Sequence, residues 1–158
     1  MPVEIRTATD QDVAAMAAIR AKVWGTEAFW RGRIGRYLTG EHSPQHAQAA
    51  RQIFVAVEDG AVLGFVAGHL TSRFGFDGEL QWIDVVQDRR RSGIAGVLIR
   101  KIAVWFVQQS AFRVCVNVAE ENFAARGLYA KHGAQPLSEQ WLVWDDIRVT
   151  LAHVDDAH

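Results

Sequence analysis

The chain has 158 residues, of which 49% are hydrophobic, and a mean hydropathy of −0.03. These values suit one domain with its own hydrophobic core and exclude general disorder. The 17 Lys and Arg residues nearly balance 18 Asp and Glu residues, for a net charge of −1, so the basic excess of a typical nucleic-acid-binding protein is absent. We expect a single domain over residues 1–150, followed by a short acidic tail over residues 151–158.

The cysteine content and the apolar runs bear on location. A single cysteine, Cys115, cannot form an internal disulfide, which is typical of intracellular proteins. The first residues lack the apolar stretch of a signal peptide. No apolar run approaches the roughly 18 residues that a membrane span needs. We therefore predict a cytoplasmic protein with no membrane partner.

The hydrophobic pattern alternates between helical and strand periods along the chain. An Asp-Gly pair at residues 59–60 separates two apolar runs and predicts a tight hairpin. In chain order, the predicted elements are a strand (3–8), two helices (10–24 and 26–38), three strands (53–57, 62–70 and 80–86), a helix (94–109), a strand (112–118), a helix (122–131) and two strands (141–144 and 148–151). This order indicates an α/β or α+β sheet flanked by helices.

The segment from Leu80 to Leu98 predicts an anion site. A strand is followed by the basic triplet 89–91 and by small residues at the start of a helix. Free amides and the dipole at a helix N-terminus attract phosphate, and arginines strengthen that attraction. The Gly-Lys-Ser/Thr of a Walker loop is absent, and so is the third glycine of a dinucleotide fingerprint.

Two motifs in this order resemble those of the GNAT acetyltransferase superfamily. Arg90-x-x-Gly93-x-Ala95, after a strand ending in Val85, is similar to its Arg/Gln-x-x-Gly-x-Gly/Ala signature. The segment Asn122-x-x-Ala125-x-x-x-Tyr129-x-Lys131-x-Gly133 resembles its second hallmark, the helix after the fifth strand. The chain departs from the family pattern in three places: Gln87 stands where proline is usual, Ala95 replaces the second glycine, and Ala134 replaces an aromatic residue.

The resemblance implies a mixed, mostly antiparallel sheet of six to seven strands with about four flanking helices, and acetyl-CoA as co-substrate without a metal. Backbone groups of Ile83 and Val85 would pair with the pantetheine arm, and the Val85 amide would face the thioester carbonyl. The other expected coenzyme-binding residues are Arg90, Arg91, Ser92, Gly93, Ile94, Ala95 and Asn122.

The same resemblance implies direct attack of an amine on the thioester, with two proton transfers. Glu79 is the expected general base, on the strand face of Gln81 and Ile83 because side chains alternate. Its alternative is a solvated charge at the start of a strand. Tyr129 matches the general acid, with an ordinary half-buried helix tyrosine as its alternative. Asp84 lies on the opposite face and is the weaker base candidate.

Other reactive side chains fit structural roles better. Cys115 in a Val-Cys-Val strand is typical of inert core, with no paired histidine evident. The histidines at 42, 46 and 69 have no spacing suited to a metal site, and surface or core positions are expected for them.

The acceptor is expected to be a small-molecule or peptide amine, bound by the variable segments. An aromatic wall of Trp24, Phe29, Trp30, Trp141 and Trp144, with acids at 145 and 146, would suit a cationic amine, although core positions are the alternative for each tryptophan. A catalytically silent coenzyme-binding module and an acyltransferase for longer acyl groups stay open. A homodimer is also open.

Overall fold

The computed structural model describes residues 2–152. Its strands are β1 (Glu4–Thr7), β2 (Ala47–Glu58), β3 (Ala61–Thr71), β4 (Gly78–Val85), β5 (Val114–Asn117), β6 (Gln135–Pro136) and β7 (Trp141–Trp144). Its helices are α1 (Val13–Ala21), α2 (Glu27–Thr39), α3 (Ile94–Gln108), α4 (Phe123–Lys131) and α5 (Val149–Ala152). The strands form one sheet in the order β1-β2-β3-β4-β5-β7-β6, in which only β4 and β5 pair in parallel among the described residues. The expected mixed, mostly antiparallel fold is therefore confirmed.

The two faces of the sheet are covered by different helices. Helices α1 and α2 place Met16, Ile34 and Tyr37 in one core with Phe65 and Ala67 of β3. On the other face, α3 packs its apolar stripe, including Leu98, Ile102 and Phe106, against side chains of β2 to β5 and β7. This division follows from the alternation of side chains along each strand.

The hairpin is confirmed, with Asp59 and Gly60 at φ values of 52° and 81° between β2 and β3. Helix α1 is shorter than predicted and ends at Ala21. The short strand β6 was not predicted, because two residues with a proline show no alternation.

The predicted last strand, 148–151, is wrong. Asp146 accepts a hydrogen bond from the Arg148 amide at 3.0 Å, and this local contact starts the helical turn α5 instead. Of the predicted acidic tail, Leu151 and Ala152 belong to α5, and residues 153–158 lie outside the described residues. Within residues 2–152, no helix is both long and apolar enough to cross a membrane.

Candidate active site

The central feature of the site is a gap between the two parallel strands. Strand β5 pairs with β4 only from Gly78 to Leu80, whereas β4 continues to Val85. The β4 edge of residues 81–85 that faces β5 is therefore open, and an unpaired strand edge can bind an extended ligand through its backbone groups. Ile83 and Val85, the residues expected to pair with pantetheine, both lie in this open part.

The loop that follows β4 has the shape of an anion site. Arg91 and Gly93 both adopt left-handed backbone conformations, with φ values of 67° and 88°. Gly93 is the N-cap of α3, so the amides of the first helical turn, from Ile94 through Ala95, lie directly behind it. Turns of this kind direct successive N–H groups toward one point, which suits a pyrophosphate.

The polar side chains of this loop are arranged around its backbone. Arg90 is exposed and donates from Nε to the Val85 carbonyl at 3.4 Å, while exposed Ser92 donates its hydroxyl to the Arg89 carbonyl. Arg89 differs from the other two arginines, because it forms an ion pair with Glu58 at 2.7 Å. Of the basic triplet, Arg90 and Arg91 are thus the side chains placed to meet an anion.

Glu79 does not lie on the strand face predicted for it. A β-bulge places Gln81 outside the pairing with β3, so Leu80 is opposite Gly68 and Trp82 is opposite Ala67. The alternation reverses at this bulge. Glu79 therefore shares the α1–α2 face with Trp82 and Asp84, whereas Ile83 faces α3.

The surroundings of Glu79 favour its ionised form. The side chain is buried, and its Oε1 accepts a hydrogen bond from Nε of Arg73 at 3.0 Å. His69 Nε2 lies 3.8 Å from the same oxygen. Burial raises the pKa of Glu79, but His69 and Arg73 together lower it by more than burial raises it. The pKa of Glu79 therefore lies below its usual range. Glu79 is therefore a carboxylate and not the solvated charge considered as the alternative.

Tyr129 on α4 is buried in the core on the α3 side of the sheet. It is 4% exposed, belongs to the same core as Val85 and Ile94, and packs edge-on against Trp144 at 5.9 Å. Burial raises the pKa of its hydroxyl, the charge of Asp84 adds to that rise, and Arg20 opposes it. Tyr129 on α4 is thus within electrostatic reach of the open part of β4, and it stays protonated at neutral pH.

Asn122 has a structural role in the same helix. Its Oδ1 accepts a hydrogen bond from the Ala125 amide at 3.2 Å, which makes it the N-cap of α4. Since the carboxamide oxygen is engaged, its NH2 group is what an exposed Asn122 can offer to a coenzyme.

The aromatic residues expected in one wall form separate groups. Trp30 packs edge-on against Trp24, Phe29 and Trp82, with ring centroids 4.9 to 5.9 Å apart, and Trp24 and Phe29 are exposed. Trp141 instead packs against Phe74 of the loop between β3 and β4. Trp144 is core on the α3 face, so its place in an acceptor wall is wrong.

Asp146, one of the two acids expected near the acceptor, is engaged by a neighbouring arginine. Asp146 is matched by Arg148 at 2.8 Å. It follows the end of β7 at which Trp144 pairs with Val114, opposite Gly78, and so lies away from the gap.

Burial, aided by the charge of Glu79, raises the pKa of Cys115 to about 12, which agrees with an inert thiol. Among residues 2–152, no group of three or more acidic, histidine or cysteine side chains could hold a metal ion.

Sequence reasoning missed three residues that contact the base candidates Glu79 and Asp84. Arg20 binds Asp84 at 2.9 Å, Arg73 binds Glu79, and His69 faces Glu79 from the neighbouring strand. The hairpin between β2 and β3 gives no sequence signal that sets the register of β3 against β4. Only the alternation of an apolar strand marks His69 as an unusual polar residue.

Comparison with known proteins agrees with this geometry. Residues 12–134 match the model of the acetyltransferase (GNAT) family. Over 133 residues, covering 83% of this chain and 90% of the relative, the chain is 28% identical to an aminoglycoside N(6')-acetyltransferase type 1 from Acinetobacter haemolyticus.

Solved structures show the same fold. A putative GNAT acetyltransferase from Desulfovibrio desulfuricans matches with a TM-score of 0.74 at 13% identity, covering 90% of this chain and 97% of that one. The PaiA N-acetyltransferase from Thermoplasma acidophilum, solved in complex with coenzyme A, matches with a TM-score of 0.67 at 14% identity, over 92% and 99% of the two chains. The open β4 edge, the loop before α3 and the family match lead to one conclusion: the chain belongs to the acetyltransferase (GNAT) family.

Proposed function

We propose that this protein transfers an acetyl group from acetyl-CoA to a primary amine. The observation that carries the proposal is the continuity of two features. The open edge of β4 ends at Val85, and the loop with left-handed Arg91 and Gly93 follows within eight residues. An extended pantetheine arm along the edge would bring its pyrophosphate to this loop. No other cofactor or metal is required.

The proposed reaction is a direct attack. The amine nitrogen bonds to the thioester carbonyl carbon, the oxygen charge that develops is stabilised by the Val85 amide, and the carbon–sulfur bond then breaks. The ammonium proton passes to the Glu79 carboxylate. The departing thiolate takes the proton of the Tyr129 hydroxyl, which solvent later restores.

The residues support these two roles unequally. Tyr129 is buried and protonated, and the charge of Asp84, in the open part of β4, acts on its hydroxyl. Glu79 holds its charge but is paired with Arg73 and lies where β4 still meets β5. A water between Glu79 and the amine would fit this position, since a general base can act through one water.

The acceptor we propose is a small-molecule amine, with peptide amines as the alternative class. It would approach from the α1–α2 face, where Trp24 and Phe29 offer exposed aromatic surface. The relative named above is an aminoglycoside acetyltransferase. In this chain Glu79 and Asp84, which both face α1 and α2, are paired with arginines. Paired carboxylates attract a polycationic acceptor more weakly than unpaired ones would. A broad panel of amines is therefore the right test.

Calorimetric titration with acetyl-CoA tests the first step, and lack of binding would refute the proposal. Release of the coenzyme thiol across a panel of aminoglycosides, polyamines, amino acids and peptides tests the second. Buried Cys115 should not react with the thiol reagent, and Cys115→Ala provides the matched control. Binding without release for any amine would indicate a silent coenzyme-binding module. Preference for longer thioesters would indicate another acyl donor. The cytoplasmic location and a homodimer stay predictions.

A further inference from the structure

A fully buried histidine lies beside the proposed base. His69 on β3 is directly opposite Glu79 in the strand pairing, and its side chain has no exposed surface. Its Nδ1 is 2.9 Å from the hydroxyl of Tyr37 on α2. Its Nε2 makes no hydrogen bond within the described residues and lies 3.8 Å from Glu79 Oε1. A buried ring nitrogen without a hydrogen bond is uncommon and calls for a reason.

The neighbours determine which nitrogen carries the proton. If Nε2 lacked a hydrogen, its lone pair would face the Glu79 carboxylate, so two acceptors would oppose each other. Nε2 therefore carries the proton, in the neutral and in the protonated ring alike. In the neutral ring, Nδ1 then accepts the hydroxyl hydrogen of Tyr37. Tyr37 is itself fully buried, which fixes the ring further.

The charged and titratable groups around this pair lie on β2, in the loop before β4 and on β5. Arg51 on β2 is opposite His69 and places its guanidinium 5.0 Å from the Tyr37 ring centroid. Arg73, in the loop before β4, binds Glu79 Oε1 and also stacks over Trp141 at 4.7 Å. Cys115 on β5 is opposite Glu79. Among the described residues, hydrogen bonds to Glu79 fall on Oε1, so Oε2 is the oxygen that a water or an amine would reach.

We infer that His69 is a positioning residue for Glu79, aligned by Tyr37 and directing its Nε2–H at Oε1 so that Oε2 faces the amine proton. This inference rests on the proposed function. The arrangement follows the logic of a base oriented by a third group. The 3.8 Å separation closes to a hydrogen bond with a small shift of the carboxylate. When Glu79 takes the proton on Oε2, Arg73 and His69 continue to hold Oε1, so the base does not rotate.

Two variants separate positioning from packing. In His69→Gln, the side-chain amide can occupy the place of Nε2 and still donate toward Glu79. In His69→Asn, the shorter amide can reach Tyr37 but not Glu79. Both are polar and similar in size, so both should cost similar stability. Because Nε2–H stabilises the carboxylate, its loss in the Asn variant should raise the pKa of Glu79, whereas the pKa in the Gln variant should stay near that of the wild type.

The readout does not depend on turnover. Carbon-13 NMR of the glutamate carboxyl groups, with Glu79 assigned by Glu79→Gln, follows its titration in each variant. The acid limb of the pH profile of kcat/KM should move to higher pH by the same amount as the NMR titration of Glu79. Tyr37→Phe keeps the ring and should give a smaller shift in the same direction. His46→Asn, at an exposed position, is the control and should leave both curves unchanged.

An unchanged Glu79 titration in both His69→Asn and Tyr37→Phe would overturn the inference, whether or not the protein turns over. Equal shifts in the Gln and Asn variants would also overturn it, because the placement of the donor would then not matter. Absence of thiol release in the wild-type protein with every amine bears instead on the proposed function.

Discussion

Arg20 on α1 donates a hydrogen bond from Nη1 to Oδ2 of Asp84 on β4, at 2.9 Å. The bond fastens the first helix to the part of β4 that β5 leaves open. The guanidinium also lies 5.0 Å from the centroid of the Trp30 ring, so the same side chain contacts α2. Arg20 therefore connects three elements on the proposed acceptor side of the sheet.

Removing Arg20 should destabilise the protein in a pH-dependent way. Burial raises the pKa of Asp84, and Arg20 and Arg90 oppose that rise. A carboxyl whose pKa is raised on folding costs stability as the pH rises through the folded value. In Arg20→Met that value rises further. We expect the free energy of unfolding to fall slightly near pH 4 and by about 3 kcal/mol near pH 8. Urea unfolding at both pH values measures this difference.

The control for this effect is the double variant Arg20→Met with Asp84→Asn. It removes the buried charge along with its partner, so it should recover part of the stability at high pH. A loss in Arg20→Met that is the same at both pH values would show that lost packing against Trp30, and not the unpaired Asp84, is responsible.

Asp12 should give the opposite pH dependence. Hydrogen bonds from Arg6 lower the pKa of its carboxyl, burial opposes this, and the Thr9 amide at 2.8 Å lowers it further. Such a group stabilises the fold above its unfolded pKa, and the stabilisation is lost as the pH falls through the folded value. We expect Asp12→Asn to cost about 1 kcal/mol at neutral pH, since Arg6 is partly exposed, and about nothing below pH 3.

Thermal unfolding across this range measures the effect of Asp12→Asn. Asp10→Asn, at an exposed acid of the same turn, should change stability by less than about 0.5 kcal/mol at any pH. Equal losses from both variants would contradict a specific role for Asp12.

Two glycines offer a matched test of the loop before α3. A Cβ added at Gly93 or at Gly127 would meet no atom within 4 Å. Gly93 has a φ of 88°, however, whereas Gly127 lies inside helix α4. Gly93→Ala should therefore cost about 1 to 2 kcal/mol from backbone strain alone, and Gly127→Ala should stabilise the helix by up to about 1 kcal/mol.

Denaturant unfolding measures both glycine variants, and calorimetry measures their affinity for acetyl-CoA. If the loop holds the pyrophosphate, only Gly93→Ala should weaken binding, because the strain at this position disfavours the conformation that directs the loop amides toward the phosphates. Unweakened binding in Gly93→Ala, together with the expected loss of stability, would place the phosphates elsewhere.

The sequence was informative where a local pattern determines the structure. Alternation and turn chemistry predicted β2, β3 and their hairpin, and the small residues after β4 predicted the loop around Gly93. The face of Glu79 could not be predicted, because the bulge at Gln81 depends on pairing with β3 and leaves no mark in the alternation.

The partners of the acids lie beyond local patterns as well. Arg20 and Asp84 are 64 residues apart, and His69 meets Glu79 only through the register of two strands. Arg73 could have been suspected from its nearness to Glu79, six residues on. Nothing in its neighbourhood, however, fixes the turn that brings the two together.

Tyr129→Phe tests the proposed acid. The phenyl ring can keep the contact with Trp144, so the fold should persist. Loss of the hydroxyl should lower kcat by about 100-fold or more, with affinity for acetyl-CoA changed little.

The pKa of Tyr129 is raised by burial and by Asp84, and an acid must be protonated to act. Turnover of the wild type should therefore not fall on the alkaline side below about pH 10 through this group. Steady-state kinetics from neutral pH to that limit measure it. A kcat in Tyr129→Phe close to wild type would assign protonation of the thiolate to water. An alkaline limb well below that pH, absent from Tyr129→Phe, would contradict the effect of burial on the hydroxyl.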